Sequence, residues 1–207
     1  MTVDAQPGVF VVDDDDAVRK SVDRLIRSVG LEAETFSDAR EFLGRAPADG
    51  AACIVLDIRM PGLSGLDLQE ELVAAGHTAP IIFITGHGTV PLSARAFKAG
   101  AADFLEKPFE DQELLDAIRS ALERGTRELE KRAGADHIHE LVETLTPRER
   151  EVFGLVVTGM LNKQIAWELG TSEKTVKVHR GRVMKKMQAD SLAKLVRMAE
   201  RIGVGAD

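Results

Sequence analysis

The sequence predicts an α/β protein: a doubly wound, five-stranded parallel sheet followed by a second, all-α domain of four helices containing a helix-turn-helix. Three observations lead there. Short continuous apolar runs alternate with helix-period segments five times in about the first 120 residues, the pattern of a parallel sheet built from β–α units. From Thr146 onward the strand-like runs cease and capped helical segments follow one another. The charge divides in the same region. Residues 1–124 hold 12 Lys/Arg against 22 Asp/Glu, a net −10; residues 125–139 balance at three of each; residues 140–207 hold 12 against 9, a net +3. An acidic half joined to a basic half points to two domains with different partners, the second a nucleic acid.

Composition bounds the rest. A length of 207 residues fits one large or two small domains. Hydrophobic residues at 44% and charged residues at 29% exclude wholesale disorder and collagen-like repeats. The single cysteine, Cys53, excludes an intrachain disulfide and a Cys-based zinc site, and fits a reducing compartment. The start MTVDAQPG has neither the basic nor the apolar region of a signal peptide. Residues 72–94 carry no formal charge, but Gly76, His77, Pro80, Gly86, His87, Gly88 and Pro91 prevent one membrane-spanning helix. A soluble, cytoplasmic protein with no membrane partner is expected.

The elements follow in order. Val9, Phe10, Val11 and Val12 form a continuous apolar run, the mark of a strand buried on both faces. After Asp13 to Asp16, Val18, Val22, Leu25, Ile26 and Val29 recur at helical spacing, and Gly30 closes the helix. Residues 31–36 read as a weaker strand, followed by a short helix around Phe42 and Leu43. Cys53, Ile54, Val55 and Leu56 form a strong strand ending at Asp57; Pro61, Gly62 and Gly65 mark a loop, and residues 66–75 a helix. Ile81, Ile82, Phe83 and Ile84 form the fourth strand, ending at Thr85, before a helix over 92–99 closed by Gly100. Residues 101–106 are the fifth strand, ending at Lys107 and Pro108. A helix over about 111–122 then carries Leu114, Leu115, Ile118 and Leu122 on one face.

Ligands of such sheets bind beyond the carboxyl ends of the strands. Those ends are Asp13 and Asp14, Asp57, Thr85 and Lys107, which would bring three carboxylates, a hydroxyl and an ammonium to one crevice. Two carboxylates ~4 Å apart repel by roughly 4 kcal/mol at an effective dielectric of about 20. A divalent, oxygen-loving cation relieves that repulsion, and Mg²⁺ suits few carboxylates plus phosphate oxygens. One Asp is then able to act as nucleophile, with Thr85 and Lys107 holding the new phosphoryl oxygens.

These residues resemble the receiver domain of two-component response regulators, over about residues 8–124. The resemblance rests on V-V-D-D after the first strand, L-D-I-R-M-P-G-L-S-G after the third, I-T-G after the fourth and E-K-P-F after the fifth. It implies a flavodoxin-like receiver in which Asp57 is the phosphoacceptor. Asp13, Asp14, Asp57 and the backbone carbonyl of Arg59 would hold Mg²⁺ (or Mn²⁺), Thr85 and Phe104 would form the switch pair, and Lys107 would bind the phosphoryl group. The Arg59 side chain and His87 take positions that vary in this family and tune the phosphoryl lifetime. Taken singly, each residue has a plainer role: Asp13 to Asp16 as helix caps, Asp57 as a loop acid, Lys107 as a surface lysine, Phe104 as core. Asp15 and Asp16 are read as caps in any case. His87, His137 and His139 show no metal-ligand spacing.

In the second half, Thr146-Pro147-Arg148-Glu149 is a capping box with Pro at the first helical position. Its helix carries Val152, Phe153, Leu155 and Val156 and ends near Gly159. Asn162 is expected to cap a short helix with Ile165, Ala166 and Leu169 on its apolar face and Trp167 beside them. After Gly170, Thr171 and Ser172 cap a helix over about 173–187, and a fourth helix covers about 191–202. The third helix sets Val176, Val183 and Met187 in an apolar seam, with Lys174, Lys177, Arg180, Arg182, Lys185 and Lys186 expected to point outward as major-groove entry requires. A solvated basic face or a protein-docking helix is the plainer reading.

This half resembles the LuxR-type DNA-binding module through L-T-P-R-E-R-E-V, N-K-Q-I-A-W-E-L-G and T-V-K-V-H-R-G-R-V-M-K-K-M. The combination resembles regulators of the FixJ/NarL type, and the S-L-A-K-L-V-R ending resembles the FixJ branch. By position, Lys177, Val178 and Gly181 fall where the family reads bases. Gly181 lacks the longer side chain some members use, so Arg180 or Arg182 takes over. Lys174, Thr175 and Lys185 fit phosphate contacts, which position without specifying. Thus residues 8–124 read as the phosphoacceptor domain, 125–140 as a partly helical linker and 141–207 as the DNA-binding domain. Gly125 and Gly134 predict a jointed linker.

The implied function is a phosphorylation-activated transcriptional regulator. A sensor histidine kinase would phosphorylate Asp57, the receiver would dimerise through its fourth helix and fifth strand, and the paired modules would bind promoter DNA and act on RNA polymerase as an activator. No enzymatic turnover is expected beyond phosphoryl uptake from the kinase and slow self-dephosphorylation. Two rivals are an aspartyl-phosphate phosphatase, whose D-x-D pattern Asp57-Ile58-Arg59 lacks, and a phosphorylation-independent binding protein.

Overall fold

In the first half, the apolar runs form β1 (Gly8–Val12), β2 (Glu32–Phe36), β3 (Ala52–Asp57), β4 (Ile81–Thr85) and β5 (Asp103–Glu106). All pair in parallel, in the order β2-β1-β3-β4-β5. The computed structural model describes residues 8–45, 52–86 and 89–205, and the chain divides into two compact units, Met1–Leu129 and Glu130–Asp207. The helices of the first unit are α1 (Asp16–Ser28), α2 (Ala39–Leu43), α3 (Gly65–Ala74), α4 (Val90–Lys98) and the first part of α5 (Asp111–Glu143).

Alternation along the strands builds two cores. Val12, Ile54, Leu56 and Phe83 face one side with Phe42, Leu68 and Leu72; Val9, Val11, Cys53, Val55, Ile82 and Ile84 face the other with Ile26, Leu114 and Ile118. Each such side chain contributes roughly 1.5–3 kcal/mol on full burial. The register sets the strand ends side by side: Val12 lies opposite Leu56, Asp57 opposite Ile84 and Thr85 opposite Glu106. The crossover order reverses at β1 and β3, and there the carboxyl ends leave a crevice.

Residues 125–140 all lie within α5, which runs to Glu143, so neither glycine interrupts the helix. The two glycines answer to packing. A Cβ on Gly125 would lie 3.3 Å from the Ala52 carbonyl and 3.4 Å from Pro80, and one on Gly134 would lie 3.4 Å from the Arg201 guanidinium.

The second unit holds the end of α5, then α6 (Pro147–Val157), α7 (Asn162–Glu168), α8 (Glu173–Lys186) and α9 (Leu192–Arg201). Its core joins Ile138, Leu141 and Leu145 to Phe153, Val156, Ile165, Val176, Val183, Met187 and Leu195. Thr146 and Glu149 form the expected capping box on α6. One expectation on α7 is corrected. Leu161, not Asn162, is the N-cap residue, its N–H bonded to Gln164 Oε1 at 2.8 Å, because Asn162 is engaged elsewhere. Trp167, beside the apolar face as expected, is 84% exposed, while Ile165 and Ala166 are buried in the core. Among the described residues, no helix is long and apolar enough to cross a membrane.

Candidate functional site

Two sites arise, one at the end of the sheet and one on α8. At the end of β1, the Asp13 N–H continues the sheet by donating to the Phe36 carbonyl at 3.2 Å, which aims the Asp13 side chain into the crevice. Asp14 follows at the surface, and Asp57 closes β3. Asp13, Asp14 and Asp57 each offer a carboxylate oxygen within 4.8 Å of the others. Asp13 is fully buried and Asp57 nearly so. Lys107 enters from β5, its N–H bonded to the Thr85 carbonyl at 2.7 Å. Its Nζ lies 2.7 Å from Asp13 Oδ2 and 3.4 Å from Asp57 Oδ2.

The electrostatics leave the cluster short of positive charge. Burial raises the Asp57 carboxyl above its ordinary range, and the neighbouring Asp13 charge adds to the rise. Lys107 and the Arg59 N–H, 3.4 Å from Asp57 Oδ1, pull it only part of the way back. Three carboxylates with one ammonium, which reaches only Asp13 and Asp57, fit the donor set of a hard divalent cation.

The other expected members surround this centre. Thr85 is fully buried at the end of β4, its carbonyl holding Lys107. Phe104 is half-buried on β5 against the core, opposite Phe83. The Arg59 side chain is exposed at the start of the loop after β3. His87 lies outside the described residues.

Sequence reasoning missed Gly65, read there only as a loop marker. A Cβ on Gly65 would sit 2.1 Å from the Asp57 carbonyl oxygen, and its N–H donates to the Ile58 carbonyl at 3.0 Å. Glycine therefore lets α3 begin directly on the backbone of the candidate phosphoacceptor. The loop spacing after Asp57 was the only available signal. Cys53 is chemically quiet: burial pushes its thiol up to about 12.

On α8, Lys174, Lys177, Val178, Gly181, Arg182 and Lys185 are exposed. Thr175 is half-buried; its N–H donates to Ser172 Oγ at 3.1 Å, and the two hydroxyls lie 2.8 Å apart. Two of the side chains expected to point outward do not. Arg180 is half-buried and donates to Asn162 Oδ1 at 3.1 Å. Lys186 donates to Glu149 Oε2 at 2.6 Å and to the Thr144 carbonyl at 2.8 Å. The cause is Glu149, buried by its capping role and in need of a counter-charge. The Lys186 bond, with that of the Thr146 N–H, holds the Glu149 carboxyl down at about 2.

A receiver-like pocket on a doubly wound sheet and a basic helix in a helical module define a regulator that couples an acidic signalling site to DNA. Comparison with known proteins agrees. Residues 9–119 match the response regulator receiver domain, and residues 143–199 match the bacterial regulatory proteins of the luxR family. The chain is 54% identical to nodulation protein W of Bradyrhizobium diazoefficiens, over 96% of this chain and 88% of that protein. It is 44% identical to the transcriptional regulatory protein FixJ of the same species, over 95% and 96% of the two chains. Among solved structures, the response regulator StyR superposes with a TM-score of 0.83 at 49% identity, covering 95% of this chain and 100% of that one. Full-length FixJ from B. japonicum gives 0.58 at 44% identity, over 95% and 97%.

The chain belongs to the two-component response regulators of the FixJ/NarL type, which join a receiver domain to a luxR-type helix-turn-helix. It is a DNA-binding transcriptional regulator answering to a cognate kinase, not a classical enzyme.

Proposed function

We propose that this regulator is an activator switched by phosphorylation of Asp57. The observation that carries the reading is the meeting of carboxylate oxygens of Asp13, Asp14 and Asp57 within 4.8 Å, with Lys107 bridging Asp13 and Asp57. An Asp57 carboxylate oxygen attacks phosphorus, the P–N bond to the kinase histidine breaks, and the ring, protonated on its other nitrogen, takes the electron pair and leaves as neutral imidazole. Asp13, Asp14, Asp57 and the Arg59 carbonyl would hold a divalent cation, which would supply charge screening for that transfer. Lys107 then takes a phosphoryl oxygen, Thr85 donates to another, and Phe104 turns into the space that Thr85 leaves.

Phosphorylation adds roughly one negative charge and new acceptor oxygens. Moving from mostly inactive to mostly active needs ~5.5 kcal/mol of differential stabilisation, part of it supplied by dimerisation through α4 and β5. Exposed Val90 and Phe97 on α4 support that face as the contact. Pairing would bring two α8 helices to an approximately palindromic promoter site, ahead of contact with RNA polymerase. Lys177, Val178, Gly181 and Arg182 would face bases, and Lys174, Thr175 and Lys185 phosphates. Residues 8–124, 125–140 and 141–207 would serve as phosphoacceptor, connector and DNA-binding segments.

Incubation of the full-length protein with a small acyl phosphate and Mg²⁺ tests the switch. Labelled protein and tighter promoter binding are expected from the wild type, and neither from a folded Asp57→Asn variant. Equal labelling of that variant rejects the assignment.

A further inference from the structure

The loop between β1 and α1 carries two of the three carboxylates, and it is held by a side chain that does not reach the pocket. Arg19, one turn into α1, donates from Nη1 to the Asp13 carbonyl at 2.7 Å and from Nη2 to Asp16 Oδ1 at 2.8 Å. Its side chain is only 16% exposed. The Asp13 carbonyl belongs to the peptide unit that joins Asp13 to Asp14. That unit is planar, so a bond to its oxygen restricts ψ of Asp13 and φ of Asp14 together, and with them the direction of the Asp14 Cα–Cβ bond.

The two aspartates differ in how they are held. Asp13 Oδ2 takes the Lys107 ammonium at 2.7 Å, and Asp13 Oδ1 takes the Asp15 N–H at 2.9 Å. Asp14 is exposed, and its carboxylate takes no hydrogen bond from the described residues. Backbone geometry alone aims it. Asp16 in turn fixes the guanidinium, its second oxygen paired with Lys20 at 2.6 Å.

We propose that Arg19 is a positioning residue of the cation site: through the peptide between Asp13 and Asp14, it holds the Asp14 carboxylate where a divalent cation can be shared with Asp57. The proposal rests on reading the acidic pocket as a cation site. Groups that orient metal ligands from outside the ligand set are typically worth 10–100-fold in affinity. Arg19 acts on one ligand only, so the lower end applies.

The test is Mn²⁺ titration of full-length, unphosphorylated protein, with the metal-free melting temperature measured alongside. Arg19→Ala should weaken Mn²⁺ binding about 10-fold with little change in metal-free melting, and Arg19→Lys should recover part of the affinity. Asp16→Asn should fall between wild type and Arg19→Ala. Mn²⁺ affinity of folded Arg19→Ala within about twofold of wild type overturns the proposal. Should Arg19→Ala not fold, unchanged affinity in both Arg19→Lys and Asp16→Asn does the same. If the wild type binds no Mn²⁺, or Asp14→Asn and Asp57→Asn bind as tightly as wild type, the cation reading itself falls, and the proposal with it.

Discussion

Lys107 lies against two carboxylates at once, closer to Asp13 than to Asp57. Under the proposed function, moving its ammonium to a phosphoryl oxygen would loosen the Asp13 contact, which would make the lysine a reporter of phosphorylation as well as a ligand. Lys107→Ala should therefore retain measurable labelling by an acyl phosphate yet lose the gain in DNA affinity; paired labelling and gel-shift titrations check this. Arg180 belongs to the same scale. Held by Asn162 Oδ1 at 3.1 Å, it ties α8 to the start of α7. Arg180→Ala should cost about 1 kcal/mol of stability and weaken binding evenly across operator variants, measured by urea unfolding and binding to single-base substitutions. Relaxed preference at one base pair would instead identify Arg180 as a base reader.

Gly65 decides how closely α3 can begin behind Asp57. A Cβ 2.1 Å from a backbone carbonyl cannot be absorbed by a rotamer change, so Gly65→Ala must push the loop or the helix away. A loss of about 1–3 kcal/mol or more in denaturant unfolding is expected, with slower labelling of Asp57. In the second unit, α6 and α8 are joined by Glu149 and Lys186. The Glu149 carboxyl is held at about 2, below its ordinary 4.5, so folding favours its charged form. Its contribution is complete above pH 4.5 and disappears as pH falls from there through about 2. Protection factors of the α6 amides, taken against the intrinsic exchange rate at each pH, should fall over that interval, and Glu149→Gln, weaker at neutral pH, should show a smaller change.

At the scale of the whole molecule, the expected consequence of phosphorylation is a change of assembly. Val90 and Phe97, 83% and 50% exposed on α4, are the apolar side chains that the proposed contact would cover. Sedimentation should give a monomer before acyl phosphate treatment and a dimer after it. Phe97→Asp should stay monomeric while Asp57 is still labelled at the wild-type rate.

Much of this was legible in the chain. Apolar runs such as Val9 to Val12 and Ile81 to Ile84 determined the strands, because a strand buried on both faces admits little else. Their polar endings named Asp13, Asp14, Asp57, Thr85 and Lys107 in advance, because ligand sites of such sheets gather at the carboxyl ends. What only the tertiary structure decided were the partners chosen across long sequence separations. Lys186 and Arg180 look like their exposed neighbours on α8, and only the burial of Glu149 and the placement of Asn162 turn them inward. Gly65 reads as a loop marker, and Gly125 and Gly134 as a joint, until the atoms facing them are known. Local pattern records which face of an element meets water or core, but a close approach or a buried counter-charge depends on what the rest of the chain brings to that point.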